Sequence, residues 1–277
     1  MRTSALLLKL VAATVLLALQ YHPAVAQSSV DALQACLIGQ PLLLRGFWLD
    51  DSLHFDSNGK PLETYKTGSF TESAFDAKTL TLKDDRLTID GQRVGIFFDE
   101  HGNAERLPMT KPKLFGRSPE KVTIQIDGQG NPDFGKELDA IFGSHLYEIA
   151  ASLPEFWQPF AHKHFVPPDQ LPSPPVNKAT STVMKISDHV MRPKVLYQTR
   201  PVFSETARQM SYSGNAVIYL WVGTDGLPSH ISISKPTGLG LDEKAVAAVS
   251  KYRFSPATRD GKPVTVDLYV DVNFQIL

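Results

Sequence analysis

Apolar and polar residues alternate along the last strand-like stretch of the chain. Val264, Val266, Leu268, Val270, Val272 and Phe274 fall on one side, and Thr265, Asp267, Tyr269, Asp271 and Asn273 on the other. A period of two predicts a strand with one buried and one open face. Upstream, Asn215–Val222 predicts a strand, Thr224-Asp225-Gly226 a turn and Ser229–Ser234 the returning strand of a hairpin. Leu241, Ala245, Ala248, Val249 and Tyr252 recur at helical spacing over 241–252, with Asp242 and Glu243 in the first turn and Pro256 beyond the end. A short helix is expected over Pro201–Gln209, with Phe203 and Ala207 four residues apart on one face.

Residues 30–165 show a different rhythm. Short strand-like runs, Leu42–Trp48, Ser52–Phe55, Ser69–Phe75, Thr79–Leu82, Arg86–Ile89, Val94–Phe98 and Lys121–Ile126, are divided by turn signals. Asn58-Gly59, Lys83-Asp84-Asp85, Asp90-Gly91 and His101-Gly102-Asn103 are the clearest of them. This spacing predicts a mainly antiparallel β-rich domain. One long helix is expected over Phe134–Leu153, where Leu138, Ile141, Phe142, Leu146 and Ile149 share a helical face and Pro154 ends the pattern. Five prolines between Phe165 and Val176 favour an extended, semi-rigid linker.

The N-terminus reads as a secretory signal. Arg2 supplies a positive start, Leu10–Leu19 is apolar apart from Thr14, and Ala24-Val25-Ala26 is a small-x-small cleavage site. That apolar run falls short of the roughly 20 residues a spanning helix needs, so a cleaved signal is the reading made here. The expected organisation is a signal at 1–26, a β-rich domain at 27–165, a Pro-rich linker at 166–184 and a small α+β domain at 185–277. Arg2 and Lys9 leave with the signal, so the remainder carries 26 basic and 29 acidic residues, a formal charge of −3. Such a balance does not fit nucleic-acid binding, which calls for a basic surface. Cys36 is the only cysteine, so no internal disulfide supports the fold; it is read as a buried thiol.

The order helix–strand–strand–helix–strand at the C-terminus resembles the C-terminal domain of TonB energy transducers. The residues that carry the resemblance are Pro201 with Ala207-Arg208, Gly214 before an apolar strand, Asp225-Gly226, Leu241-Asp242 with Ala245, Tyr252-Arg253-Phe254 with Pro256-Ala257, and Asp260-Gly261-Lys262-Pro263. The resemblance implies a periplasmic module that grips an extended peptide of an outer-membrane transporter by adding it to the edge of a small sheet. The edge it implies runs through Val264, Val266, Asp267, Leu268, Tyr269, Val270 and Val272. Alternatively, the first domain covers that edge, or a second copy pairs with it to make a homodimer. Tyr219 and Trp221 occupy positions that are often polar in that family and, with Tyr269, are read as a contact patch; the alternative is that they pack against the first domain. A full transducer of the family has a membrane anchor and a long Pro-rich spacer, whereas the Pro-rich stretch here reaches roughly 40 Å at most. The preferred reading is therefore a binding module without a motor. A retained signal would make the chain a membrane-anchored transducer.

An envelope enzyme with its site in 30–165 is the third reading. The sequence lacks the nucleophile-elbow, zincin, phosphate-loop and dinucleotide-binding motifs. Gly128-Gln129-Gly130 is read as a turn into the next helix. His162 and His164 stand two apart, where a strand would put both imidazoles on one face, but further metal ligands are lacking. No catalytic residue, metal or cofactor is expected.

Overall fold

The computed structural model describes residues 22–128, 130, 134–167, 169, 183–186 and 189–276. The expected signal core and most of the expected linker lie outside these residues. The fold is α+β. Helix α1 (His22–Leu37) runs through the expected cleavage point and turns Leu33 and Leu37, one helical turn apart, into the core. Cys36 lies off that stripe and is exposed, which corrects its reading as a buried thiol. No helix among the described residues is long and apolar enough to cross a membrane.

The first unit is built on a seven-stranded sheet. Its strands are β1 (Leu42–Leu44), β2 (Ser52–Phe55), β3 (Ala74–Lys83), β4 (Arg86–Phe98), β5 (Ala104–Pro108), β8 (Lys121–Asp127) and β9 (Phe142–Gly143). A small hairpin, β6 (Thr110–Pro112) and β7 (Arg117–Pro119), stands between β5 and β8. The sheet order is β2-β8-β4-β3-β1-β9, with β5 pairing the second half of β4, and every pairing is antiparallel except β2 with β8.

Three sequence expectations change here. Asp90-Gly91 is not a turn: β4 runs straight through it for 13 residues. A Cβ on Gly91 would lie 2.3 Å from the Asp76 carbonyl and 2.4 Å from the Phe75 ring, so glycine is there to admit a crowded partner strand. Phe70–Glu72 is a 3₁₀ turn capped by Ser69, with a capping box between Ser69 and Glu72, and β3 starts only at Ala74. The long helix is in fact α2 (Gly135–Ile141), strand β9 and α3 (Leu146–Ala150). Phe142 and Gly143 turn extended to pair with Leu44 and Leu43, and Phe142 stacks on Phe75 at 5.9 Å. Gly143 weakens helix continuation, and the free edge of β1 outcompetes it.

Past Pro154, a 3₁₀ turn (Glu155–Trp157) leads into α4 (Gln158–His164), with Pro159 at its start. The second unit holds β10 (Lys194–Tyr197), α5 (Glu205–Gln209), β11 (Gly214–Val222), β12 (Pro228–Lys235), α6 (Leu241–Val249), β13 (Arg253–Ser255), β14 (Ala257–Arg259), β15 (Lys262–Val264) and β16 (Val266–Phe274). Helix α5 starts four residues later than Pro201, because Ser204 caps it by accepting from the Ala207 N–H at 3.0 Å.

One apolar core runs through both units, from Leu43, Phe70 and Phe98 to Ile218, Leu239 and Phe274. The seam is also hydrogen-bonded. The Leu239 N–H donates to the Ile96 carbonyl at 2.9 Å and the Phe98 N–H to the Thr237 carbonyl at 3.2 Å. Gly240 N–H donates to the Thr71 hydroxyl at 2.9 Å, and Ser69 Oγ and Trp157 Nε1 both donate to Glu243 Oε1 at 2.8 and 2.9 Å. Asp242, fully buried beside them, accepts from the Thr237 and Gly238 N–H groups, yet burial, with Glu243 adding repulsion, pushes its carboxyl up to about 7. Burial first, and Glu243 among the lesser causes, raises the Glu72 carboxyl in the same way.

These raised carboxyls carry a pH prediction. The folded state holds their protons more tightly than the unfolded chain, so their contribution is fully present below pH about 4 and is lost as pH rises toward about 7. Urea midpoints are expected to fall between pH 4.5 and pH 7, and Asp242→Asn to flatten that slope. An unchanged slope in the variant contradicts the assignment.

Candidate functional site: the outer rim of the C-terminal sheet

Strands β12, β11 and β16 form a three-stranded antiparallel sheet in that order. Its inner face, Ala216, Ile218, Leu220 and Val222, is buried against α6. The alternation read in the last strand holds: Val266, Val272 and Phe274 are buried, Leu268 and Val270 are half-buried against the core, and Tyr269 is 62% exposed. The two rims of this sheet differ. On the β12 side, the strand packs against Glu155–Trp157 and α4 of the first unit, and Ser232 and Ile233 are buried. The β16 side meets one neighbour among the described residues: the Met184 N–H donates to the Thr265 carbonyl at 2.9 Å, in a parallel bridge of Met184 with Val266.

That single contact fixes the polarity of the rim. A strand residue turns its N–H and C=O to the same edge, and successive residues alternate. With the Thr265 carbonyl outward, the main-chain groups of Tyr269, Asp271 and Asn273 also face outward. Those of Leu268, Val270 and Val272 face β11, where they are in register with Leu220, Ile218 and Ala216. The result is a row of outward main-chain donors and acceptors without a neighbouring strand among the described residues.

Of the residues assigned to this edge, the structure places Val266, Asp267, Leu268, Tyr269, Val270 and Val272 on β16. Val264 is a correction: it belongs to β15 and pairs with Ala257. The turn at Asp260-Gly261, with both residues at positive φ, folds Lys262–Val264 back onto β14 before β16 begins.

The aromatic patch sits on the outer face beside this rim. Tyr219 is paired with Tyr269 across the strands, ring centroids 5.3 Å apart. Trp221 is half-buried; its Nε1 donates to the Tyr219 hydroxyl at 2.8 Å, and His230 stacks on its ring at 3.7 Å. His230 reaches that position because β12 slips register between Ser229 and Ser232, with His230 at positive φ. Trp221 is thus covered from within its own sheet. Tyr219 instead opens into a cleft of about 410 Å³ whose other wall is α4, through Pro159, Phe160, Lys163 and His164, and whose rim reaches Asp267 and Tyr269. Burial, with Asp267 nearby, raises the Tyr219 phenol, and burial with Lys163 alongside lowers the His164 imidazole.

His162 and His164 are not a pair on a strand. Pro159 near the helix start commits 158–164 to α4, where a two-residue step is about 200° of rotation. His164 stacks on Phe160 at 4.2 Å. Among the described residues no group of three or more His, Cys, Asp or Glu is arranged to hold a metal ion.

Residues 199–276 match the family model for the Gram-negative bacterial TonB protein C-terminal. This segment is a TonB C-terminal domain. The TonB domain thus covers α5 through β16 and leaves the first unit, β10 and Met184 outside the match. The chain is also 25% identical over 111 residues to Protein TonB of Vibrio cholerae serotype O1, a match covering 39% of this chain and 45% of that protein. It therefore spans less than half the length of that curated relative. Among solved structures, the solution NMR structure of Pseudomonas aeruginosa TonB CTD aligns at 20% identity and a TM-score of 0.26, covering 35% of this chain and 96% of that one.

Sequence reasoning missed the residues that seat the TonB domain on the first unit: Trp157, Ser69, Thr71 and Glu243. Each contact joins residues far apart in the chain, and no local pattern announces them. Glu243 read as a helix-dipole acid, and Trp157 lay past the expected helix.

Proposed function

We propose that the protein is exported to the periplasm and that its TonB domain captures an extended peptide by strand addition along β16, in connection with TonB-dependent transport across the outer membrane. The observation that carries this reading is the asymmetry of the small sheet. One rim is packed on the first unit, and the other presents Tyr269, Asp271 and Asn273 outward with, among the described residues, only Met184 beside its start. Main-chain pairing would supply affinity, and the side chains beside Tyr219 and Tyr269 would supply selectivity. The first unit acts as a rigid seat that holds the TonB domain and walls the cleft next to the rim. The partner is an N-terminal segment of an outer-membrane transporter.

Asp271→Pro tests this directly. Proline is tolerated on an edge strand when the missing N–H faces away from the sheet, so the fold is retained and one outward donor is lost. Titration of the full chain with a synthetic transporter N-terminal peptide is expected to show at least about tenfold weaker binding in the variant, the equivalent of about 1.4 kcal/mol. Equal affinity in a folded variant contradicts the reading. Self-association through β16 would appear instead as a dimer in sedimentation that Asp271→Pro dissolves.

A further inference from the structure

The most exposed large apolar side chains among the described residues lie far from the peptide rim in the chain. They are Leu114 and Phe115, 90% and 91% exposed, at the tip of the β6–β7 hairpin. We propose that this hairpin is a wedge that inserts into the surface of an anionic phospholipid membrane. The inference is independent of the peptide-capture reading.

The hairpin is held stiff. The Lys113 N–H donates to the Gly116 carbonyl at 2.9 Å, and Gly116 sits at positive φ with open space around it. Arg117 crosses the two short strands, its Nε donating to Thr110 Oγ1 at 2.7 Å and its Nη2 to the Thr110 carbonyl at 2.8 Å. At the root, Lys111 is paired with Asp51 at 2.6 Å. Two adjacent bulky side chains are therefore held out in water by an ordered scaffold, without a fold to serve at that point.

The charge around the tip selects the occupant. Residues 110–117, Thr-Lys-Pro-Lys-Leu-Phe-Gly-Arg, carry three cations and no acid. Lys113 and Arg117 have no carboxylate partner among the described residues. A convex apolar tip ringed by cations matches a layer of acyl chains beneath anionic headgroups, which accepts protruding Leu and Phe without a preformed pocket. A protein partner would need a matching two-residue pocket with an acidic rim.

The test uses the full chain in a Cys36→Ser background. An environment-sensitive fluorophore is attached at Leu114→Cys or, as a control, at exposed Thr224→Cys on the β11–β12 turn. Vesicles of phosphatidylcholine with phosphatidylglycerol are expected to blue-shift the emission at position 114 and raise it by at least about twofold, with no change at 224. Lys113→Glu in the labelled chain is expected to weaken this response by at least about fivefold. The proposal is overturned if position 114 does not respond to these vesicles, even when the chain sediments with them through another segment. It is equally overturned if 114 and 224 respond alike, or if Lys113→Glu changes nothing.

Discussion

Trp157→Ala is expected to lower the free energy of unfolding by about 4 kcal/mol, a large fraction of what holds an ordinary domain folded. Trp157 is fully buried at the centre of the seam. Its ring meets Phe70 edge-on at 5.0 Å and packs against Phe98 and Phe160 at 6.0 and 6.1 Å. Truncation opens a cavity that three aromatic rings cannot collapse to fill. It also removes the indole donor to Glu243, whose Oε2 is already buried without a hydrogen-bond partner. Trp157→Phe separates the two effects: the ring volume is mostly kept, and about 1–3 kcal/mol is expected from the lost donor alone. Urea unfolding of the full chain measures both. Because one core joins the units, the unaltered chain should unfold in a single transition, and Trp157→Ala should split it. A loss under about 1 kcal/mol with one transition would mean that the seam contributes little.

Leu268→Pro is expected to unfold the TonB domain, in contrast with Asp271→Pro three residues away. The Leu268 N–H faces β11, in register with Leu220 at the third position of a nine-residue ladder. Proline there deletes a ladder bond and forces its ring against a paired strand, at about 3 kcal/mol or more. Near-ultraviolet circular dichroism should lose the Tyr219 and Trp221 signals in Leu268→Pro and keep them in Asp271→Pro. Peptide binding lost in the first variant is therefore uninformative, while binding lost in the second is specific to the rim. If Leu268→Pro keeps its tertiary spectrum, the assignment of inward and outward residues on β16 is wrong.

Strand β11 was legible as a continuous apolar run over residues 216–222, and β16 because one of its faces is buried, so that hydrophobicity alternates along it. Helix α6 was legible for the same reason at a period of 3.6. The failures share a cause. Phe142-Gly143 fitted a helical stripe until the edge of β1 claimed it, and Asp90-Gly91 fitted a turn until the Phe75 ring explained the glycine. Val264 continued the alternation of β16, but the Asp260-Gly261 turn had already assigned it to a hairpin. In each case a competing partner strand decided the outcome, distant in sequence for Phe142-Gly143 and Asp90-Gly91 and local for Val264. The candidate rim was legible as a strand, but its openness was not, because that depends on where α4 and Met184 come to rest.

The most direct test of the central claim is amide hydrogen exchange of the full chain, residue by residue, with and without a transporter N-terminal peptide. Strand addition predicts slowed exchange at Tyr269, Asp271 and Asn273 on binding. Leu268, Val270 and Val272, already paired with β11, should change little. Binding that leaves the three outward amides unprotected, or that protects β12 instead, would contradict the account.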